Sequence, residues 1–308
     1  MKVLVLGCSG QVGVELMRAR WARAKVTGLT RPQFDMTTPE TIAATISALQ
    51  PELVVNAAAY TAVDDAEIDE PSAFAVNAHG PMMLAQECCR HAIPLIHLST
   101  DYVFDGSARR PYRESDPVRP INAYGRSKAA GEAAVRQYLP QHVIVRTAWV
   151  HASHGKNFVR TMLRLACERD EVGVVADQFG SPTAAVDIAV AIVQIAGRIA
   201  PLQGAHPGAP WGTYHLTAQG ETSWYGLAER IFEHLERTGK RRPALRPITA
   251  ADYPGQAVRP ACSVLDCTLI ERAFGLKRPT WQDGLDRVLD DLVPAPTACD
   301  RRTTGGTP

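Results

Sequence analysis

Met1-Lys2-Val3-Leu4-Val5-Leu6-Gly7-Cys8-Ser9-Gly10-Gln11-Val12-Gly13 runs a short apolar stretch straight into three glycines, each separated by two residues. An apolar run of this length ending on a glycine turn reads as a strand buried on both faces, as in a parallel sheet. The residues from Val12 to Arg20 have helical character, so the glycine loop sits at a helix N-terminus. Free backbone N–H groups and the helix macrodipole attract a diphosphate there, and glycines let the backbone approach it. The first βα unit is therefore expected to hold a dinucleotide.

About twenty residues past such a loop, a dinucleotide fold commonly carries a carboxylate for the adenosine ribose. Here Lys25-Val26-Thr27-Gly28-Leu29-Thr30-Arg31 ends on a cation. Arg31 removes repulsion toward a 2′-phosphate and can pair with it, which tilts the cofactor toward NADPH, with NADH as the alternative. Asp35, in Phe34-Asp35-Met36, is placed to reach the adenine or its ribose. Further on, the apolar segments Leu53 to Ala57, Pro94 to Leu98 and His142 to Thr147 alternate with helical stretches, one of them through Asn77 and Ala85. That rhythm predicts an α/β protein with a doubly wound, Rossmann-type parallel sheet.

Ligands of such sheets lie beyond the carboxyl ends of the strands. Two strand exits are polar. Val54-Val55-Asn56-Ala57-Ala58-Ala59-Tyr60-Thr61-Ala62-Val63-Asp64 offers small residues against which a flat cofactor can lie. His97-Leu98-Ser99-Thr100-Asp101-Tyr102 offers hydroxyls at Ser99 and Thr100 for a carbonyl oxygen being reduced, and Asp101 for a sugar hydroxyl. A Ser-Thr-Asp triplet also makes helix caps and Asx turns. One βα unit later, Tyr124-Gly125-Arg126-Ser127-Lys128 sets a phenol and an ammonium four residues apart, on one helix face. An ammonium about 4 Å from a phenol contributes roughly 4 kcal/mol at an effective dielectric of about 20, or about three pK units. Lys128 is thus expected to bring the Tyr124 phenol toward neutrality as a proton donor.

The 308 residues are 45% hydrophobic, with 33 basic against 32 acidic side chains, which provides ample core and no charge bias toward nucleic acid. No long apolar helix, linker or repeat appears; the richest apolar stretch, Ala184 to Ala196, is interrupted by Asp187 and Gln194. A cytoplasmic setting is expected, with no membrane partner. Seven cysteines at 8, 88, 89, 167, 262, 267 and 299 contain no C-x-x-C and suit reduced thiols. The histidines are scattered, and His151 with His154 lacks a third ligand nearby, so zinc is not expected.

The glycine spacing is that of short-chain dehydrogenases/reductases. Together with Arg146-Thr147-Ala148-Trp149-Val150, Asn157-Phe158, Asp177 to Thr183 and Arg259 to Ser263, the motifs above resemble the dTDP-4-dehydrorhamnose reductase family of extended short-chain dehydrogenases/reductases over nearly the whole chain. The resemblance implies Thr100, Tyr124 and Lys128 as the catalytic set. It implies Gly10, Gln11, Val12, Ala59, Tyr60 and Thr61 at the cofactor, with Tyr124 and Lys128 on the nicotinamide ribose; Gly7, Met36, Ala58 and Leu98 join that group. Thr100, Asp101 and Trp149 match substrate contacts, and Asn157 and Arg259 are added to them, Arg259 either for a diphosphate or in a surface ion pair.

The implied reaction is hydride delivery from NADPH or NADH to the C4 carbonyl of a dTDP-4-dehydro sugar. The implied organisation is an NAD(P)-binding domain at 1–150, a smaller α/β substrate-binding domain mainly at 151–295 with segments returning to the first, and a disordered tail at 296–308. His151 stands where the family commonly has tyrosine, so the substrate loop is expected to differ. Some relatives bind Mg²⁺ at a dimer interface through glutamates; Glu15 matches one of them and Asp187 only approximates another, so no metal is expected, while a homodimer stays open. Nucleotide-sugar dehydratases and epimerases share the glycine loop and the Tyr-Lys pair, and a non-catalytic regulatory subunit of methionine adenosyltransferase resembles the same family. Tyr102 stands where a dehydratase needs a second carboxylate, and the retention of Thr100, Tyr124 and Lys128 favours a reductase.

Overall fold

The computed structural model describes residues 1–200, 209–253 and 255–293, so the tail expected at 296–308 lies outside the described residues. The apolar opening stretch forms β1 (Lys2–Leu6) and passes through the glycine loop into α1 (Gln11–Arg18), followed by β2 (Lys25–Leu29), α2 (Pro39–Leu49) and β3 (Leu53–Asn56). Next come α3 (Val63–Ile68), α4 (Glu70–Phe74), a π-helical turn at Ala75–His79 and α5 (Gly80–Arg90), then β4 (Leu95–Thr100), α6 (Ala123–Tyr138) and β5 (His142–Thr147). Beyond them lie β6 (Val150–His151), α7 (Phe158–Glu168), β7 (Glu171–Val175), β8 (Phe179–Gly180), β9 (Thr183–Ala184) and α8 (Ala185–Ile199). The remaining elements are β10 (Gly212–His215), β11 (Thr222–Ser223), α9 (Trp224–Arg237), β12 (Ala244–Ile248), α10 (Thr268–Phe274) and α11 (Trp281–Leu292).

The main sheet has six parallel strands in the order β10-β5-β4-β3-β1-β2. Because successive side chains point to opposite faces, each strand feeds two cores. Val3, Val5, Val55, Val143 and Val145 face α1 and α8, where they meet Leu16, Ile188, Ile192 and Ile195. Leu4, Leu6, Val54, Leu95 and Ile144 face the other way, onto Ile42, Ile46, Leu84, Val135 and Leu139. The continuous apolar runs noted in the sequence are the consequence of this two-sided burial. A third core, around Val159, Leu227, Ile231, Phe232, Trp281 and Leu285, belongs to the second half of the chain. Segments beyond residue 151 are divided: α8 packs on α1 and β10 extends the main sheet, while α7, α9, α11 and the β7–β12 pair enclose the third core. Among the described residues no helix is long and apolar enough to cross a membrane.

The chain goes outward from β1 to β2, then returns and continues through β3, β4 and β5 on the other side. The strand order therefore reverses between β1 and β3, and the crevice outside their carboxyl ends is where such folds take ligands. The crossover from β3 to β4, read in the sequence as one helical stretch through Asn77 and Ala85, is broken. Pro71 brings no backbone N–H, Asp69 caps α4 by accepting from Ser72 N at 3.1 Å, and the π turn then intervenes. That turn presents Asn77, whose side chain accepts from Tyr60 N at 2.8 Å and donates to Tyr60 O at 3.0 Å. The strand exit after β3 is thereby held from outside.

Gly131 of α6 lies where an ideal β-carbon would sit 2.0 Å from the Asn77 carbonyl oxygen. Alanine for glycine in a helix interior normally gains about 1 kcal/mol. Forcing two packed backbones apart costs about 1–3 kcal/mol, and here that term is expected to win. Gly131→Ala should lower the urea midpoint; a raised midpoint would show that α6 is not in close contact with the π turn.

Candidate active site

A cavity of about 480 Å³ opens at the carboxyl ends of the strands. Gly7, Gly10, Gln11 and Val12 of the glycine loop line it, with Arg31, Asp35 and Met36 after β2, Ala58, Ala59 and Thr61 after β3, and Leu98, Tyr124 and Lys128 on its far side. Tyr60, expected among them, is not a lining residue; its backbone is bonded to Asn77 instead. Gly7 has φ +77°, and a β-carbon there would fall 2.6 Å from Ala58 N. A β-carbon at Gly13 would fall 2.1 Å from Gly7 O, so the loop is packed as tightly as backbone allows. Unlike α6, α7, α9 and α11, each capped by an Asn, Ser or Thr side chain, α1 begins without a side-chain cap, and its first residues face the cavity. Uncapped N–H groups on a glycine cradle fit the diphosphate of a dinucleotide.

Lys128 is 2% exposed, and its Nζ donates to Leu98 O at 2.7 Å. Burial lowers its pKa to about 8, with the Glu132 carboxylate pulling the other way. Burial pushes the Tyr124 phenol up to about 12, against the Thr100 hydroxyl, while the Asp101 carboxylate adds to the rise. The expectation that Lys128 brings this phenol near neutrality is thus corrected. Desolvation sets the direction for the phenol, and the Lys128 ammonium is turned onto a main-chain carbonyl. The phenol consequently stays protonated as a donor across the neutral range. Thr100 stands at the end of β4, where Oγ1 donates to Asp101 Oδ1 at 3.0 Å and accepts from Tyr102 N at 3.2 Å, so the capping role that a Ser-Thr-Asp triplet allows is realised. Burial raises Asp101 to about 6 despite the Ser263 and Thr100 hydroxyls, and its Oδ2 has no hydrogen-bond partner among the described residues.

Ser99, read from the sequence as a donor to the reacting carbonyl, spends its proton elsewhere: Oγ donates to Glu132 Oε1 at 2.6 Å. Glu132 is fully buried and also accepts from Arg146 Nε at 2.8 Å, Arg146 Nη2 at 2.7 Å and Arg136 Nη1 at 3.0 Å. Sequence reasoning missed Glu132. It lies one helical turn past Lys128, but besides Arg136 of the same helix its partners, Ser99 and Arg146, come from β4 and β5. Asn77 was also missed as a functional residue; besides holding Tyr60 it donates to Ser127 Oγ at 3.0 Å, inside the Tyr124–Lys128 turn.

The expected substrate contacts are spread around the cavity rather than in its lining. Trp149, half-buried with φ +48°, stacks on Trp224 at 3.4 Å and 2°, and Phe158 leans on Trp224 from 4.7 Å. Asn157 turns away from the substrate side: its Oδ1 caps α7 through Arg160 N, and its Nδ2 reaches Gln11 Oε1 at 2.9 Å. Arg259 forms the ion pair that was the alternative to diphosphate binding, with Nη2 at 2.5 Å from Asp64 Oδ2. Glu15 and Asp187 do not converge on one point. Glu15 meets His154 at 2.7 Å and Arg18 at 3.3 Å, whereas Asp187 is held by Arg287 at 2.5 Å. His151 is buried with its Nδ1 3.3 Å from Trp149 O, and burial lowers it to about 4, so it is neutral.

The glycine cradle under an uncapped helix, with a Thr-Tyr-Lys set at the neighbouring strand ends, defines an extended short-chain dehydrogenase/reductase. Residues 1–293 match the model of the RmlD substrate binding domain family. The chain is 43% identical over 293 residues to the dTDP-4-dehydrorhamnose reductase of Sinorhizobium fredii, covering 95% of this chain and 98% of that protein. It is also similar to two crystal structures of dTDP-4-dehydrorhamnose reductases. One, from Clostridium acetobutylicum, gives a TM-score of 0.87 at 34% identity over 95% of this chain and 99% of that one. The other, from Bacillus anthracis in complex with NADP, gives 0.86 at 32% identity over 94% and 99%. The chain belongs to the dTDP-4-dehydrorhamnose reductase family.

Removing one partner of a buried ion pair strands the other and costs about 3–5 kcal/mol. Glu132→Gln should lose stability on that scale in urea unfolding. A loss below about 1 kcal/mol, the level of an exposed pair, would mean that the carboxylate is not what holds α6 to the sheet.

Proposed function

We propose that this protein reduces the C4 carbonyl of dTDP-4-dehydro-β-L-rhamnose to give dTDP-β-L-rhamnose, the last step in making that nucleotide sugar, with NADPH as reductant and NADH as a weaker alternative. The observation that carries this reading is the set of Thr100 at the end of β4 and Tyr124 and Lys128 on α6 beside a cradle fitted to a dinucleotide, in a chain of which a reductase of this name covers 95%. When bound, the cofactor supplies the hydride. The protein supplies the rest. Gln11 and Val12 offer main-chain N–H groups to the diphosphate, Gly7 and Gly10, whose own N–H groups donate to Leu29 O and Gly7 O, let the chain approach it, and Arg31 suits a 2′-phosphate. Tyr124, protonated because it is buried, gives its phenolic proton to the oxygen that gains charge at C4. Thr100 Oγ1 donates to the same oxygen from a second direction once it turns from Asp101, and Lys128 holds the nicotinamide ribose.

Residues 151–295 are assigned mainly to the nucleotide sugar, with Trp149 and Arg259 at the boundary and Asp101 on a sugar hydroxyl. The free thiols suit a cytoplasmic setting. Elimination of water, the dehydratase reaction, is disfavoured because the position after Asp101 is Tyr102, whose buried phenol is pushed above the ordinary range by desolvation and by the Asp101 charge and so stays a neutral hydroxyl.

Tyr124→Phe should lower kcat by about 10²–10⁴-fold while NADPH binding, followed by fluorescence titration, changes little. Equal losses in turnover and cofactor affinity would remove Tyr124 as the proton donor. Lys128 carries its charge below about 8 in the free protein and loses it above. The pH profile of kcat/KM should therefore fall on the alkaline side through about that value; a profile flat to the alkaline limit would show that the ammonium is not required.

A further inference from the structure

A second segment of the chain reaches the cofactor cavity, from the loop that joins β6 to α7. Gly155 and Lys156 line the cavity beside Ser9, Gly10 and Gln11. The loop is fastened to the first two turns of α1. Asn157 Nδ2 lies 2.9 Å from Gln11 Oε1, 2.9 Å from Ala152 O and 3.1 Å from His154 O, so one amide both shapes the loop and ties it to the helix. His154 Nε2 meets Glu15 Oε1 at 2.7 Å, one turn further along. Gly155 has φ +70°, and a β-carbon there would stand 3.2 Å from Gln11 Cγ, so the close seating of the loop on α1 depends on glycine. Four contacts thus hold Lys156 at the mouth of the glycine cradle.

Three cations and one carboxylate line the cavity: Arg31, Lys128, Lys156 and Asp35. Lys128 is committed to Leu98 O, and Arg31 follows β2, on the adenosine side, with Asp35 beside it. Lys156 makes no ion pair or hydrogen bond among the described residues, and it stands over the uncapped end of α1. We infer that Lys156 is a diphosphate-binding residue, delivered from the second half of the chain to the cofactor bound by the first. A compact ammonium suits a non-esterified phosphate oxygen as a point charge, adding to the N–H groups of the helix end. The assignment rests on the dinucleotide reading above and extends it: the cofactor bridges both halves, and the Asn157–Gln11 and His154–Glu15 contacts set the bridge before it binds.

NADPH and NADH share the diphosphate, and only NADPH carries the 2′-phosphate, so the two titrations separate the cations. Lys156→Gln should raise Kd for both by about tenfold, the worth of one charge-assisted hydrogen bond. Lys156→Arg should bring both back to within about twofold of the parent, since the charge is restored. Arg31→Gln should weaken NADPH alone. The side chain of Lys156 is exposed, so thermal unfolding of the Lys156 variants should match the parent. Parent-like Kd values for Lys156→Gln, or a loss confined to NADPH, would overturn the assignment. A parent protein that binds neither dinucleotide would instead overturn the cofactor reading on which it rests.

Discussion

The carboxylate of Glu132 is the constraint on which the rest of the site depends. Leaving an ionised carboxyl in the interior costs several kcal/mol unless its oxygens are satisfied, and here both are, by Ser99, by two nitrogens of Arg146 and by Arg136. Arg146 is itself 2% exposed and lies over the Phe104 ring, with His215 3.3 Å from its Nη1. Burial and the Arg146 charge push His215 down to about 3, so it stays neutral and the pair is not burdened by a further cation. Ser99 sits at the end of β4, Arg146 on β5 and Glu132 on α6. One carboxylate therefore fixes the mutual positions of the strand that presents Thr100, the helix that presents Tyr124 and Lys128, and the strand that leads to Trp149.

The second half of the chain joins this frame through the core that α8, β10 and α10 share with the main sheet and, around the site, through polar contacts. Asp64, just past the strand exit after β3, accepts from Gln256 N and Ala257 N at 3.0 Å each and from Arg259. Asn122 caps α6 through Gly125 N at 2.7 Å and at the same time donates to Val258 O at 2.8 Å. The residues around 256–259 are thus tied both to the cofactor side and to the first turn of the helix carrying Tyr124. Trp149 takes a backbone conformation that costs a non-glycine residue about 1–2 kcal/mol, and its stack on Trp224 holds it there. These contacts bring residues 256–259 and Trp149 to the end of the frame that carries Thr100 and Tyr124.

The parts of this arrangement that were legible in the sequence are those written locally. The apolar run into Gly7, Gly10 and Gly13 reports a buried strand and a helix start because neither depends on distant partners. Tyr124 and Lys128 are legible because helical spacing alone puts them on one face. His142–Thr147 was readable to the residue as a strand, since all six positions are buried. The π turn at Ala75–His79 was not, because its cause is the fit of Asn77 to Tyr60 across the crossover. The orientation of Lys128 toward Leu98 O, the diversion of Ser99 to Glu132 and the use of Asn157 as a tether to Gln11 all depend on groups remote in sequence. Pattern in one dimension names such residues but not their partners. Lys156 illustrates the same limit: its neighbours Gly10 and Gln11 are remote in sequence and adjacent only in the fold.

The claim that these elements together make a ketosugar reductase is tested most directly by product. Purified protein is mixed with NADPH and dTDP-4-dehydro-β-L-rhamnose, oxidation of the nicotinamide is followed by absorbance, and the sugar nucleotide is identified. The account predicts one NADPH consumed for each dTDP-β-L-rhamnose formed. Tight NADPH binding with no oxidation, or oxidation yielding a different sugar, would contradict it.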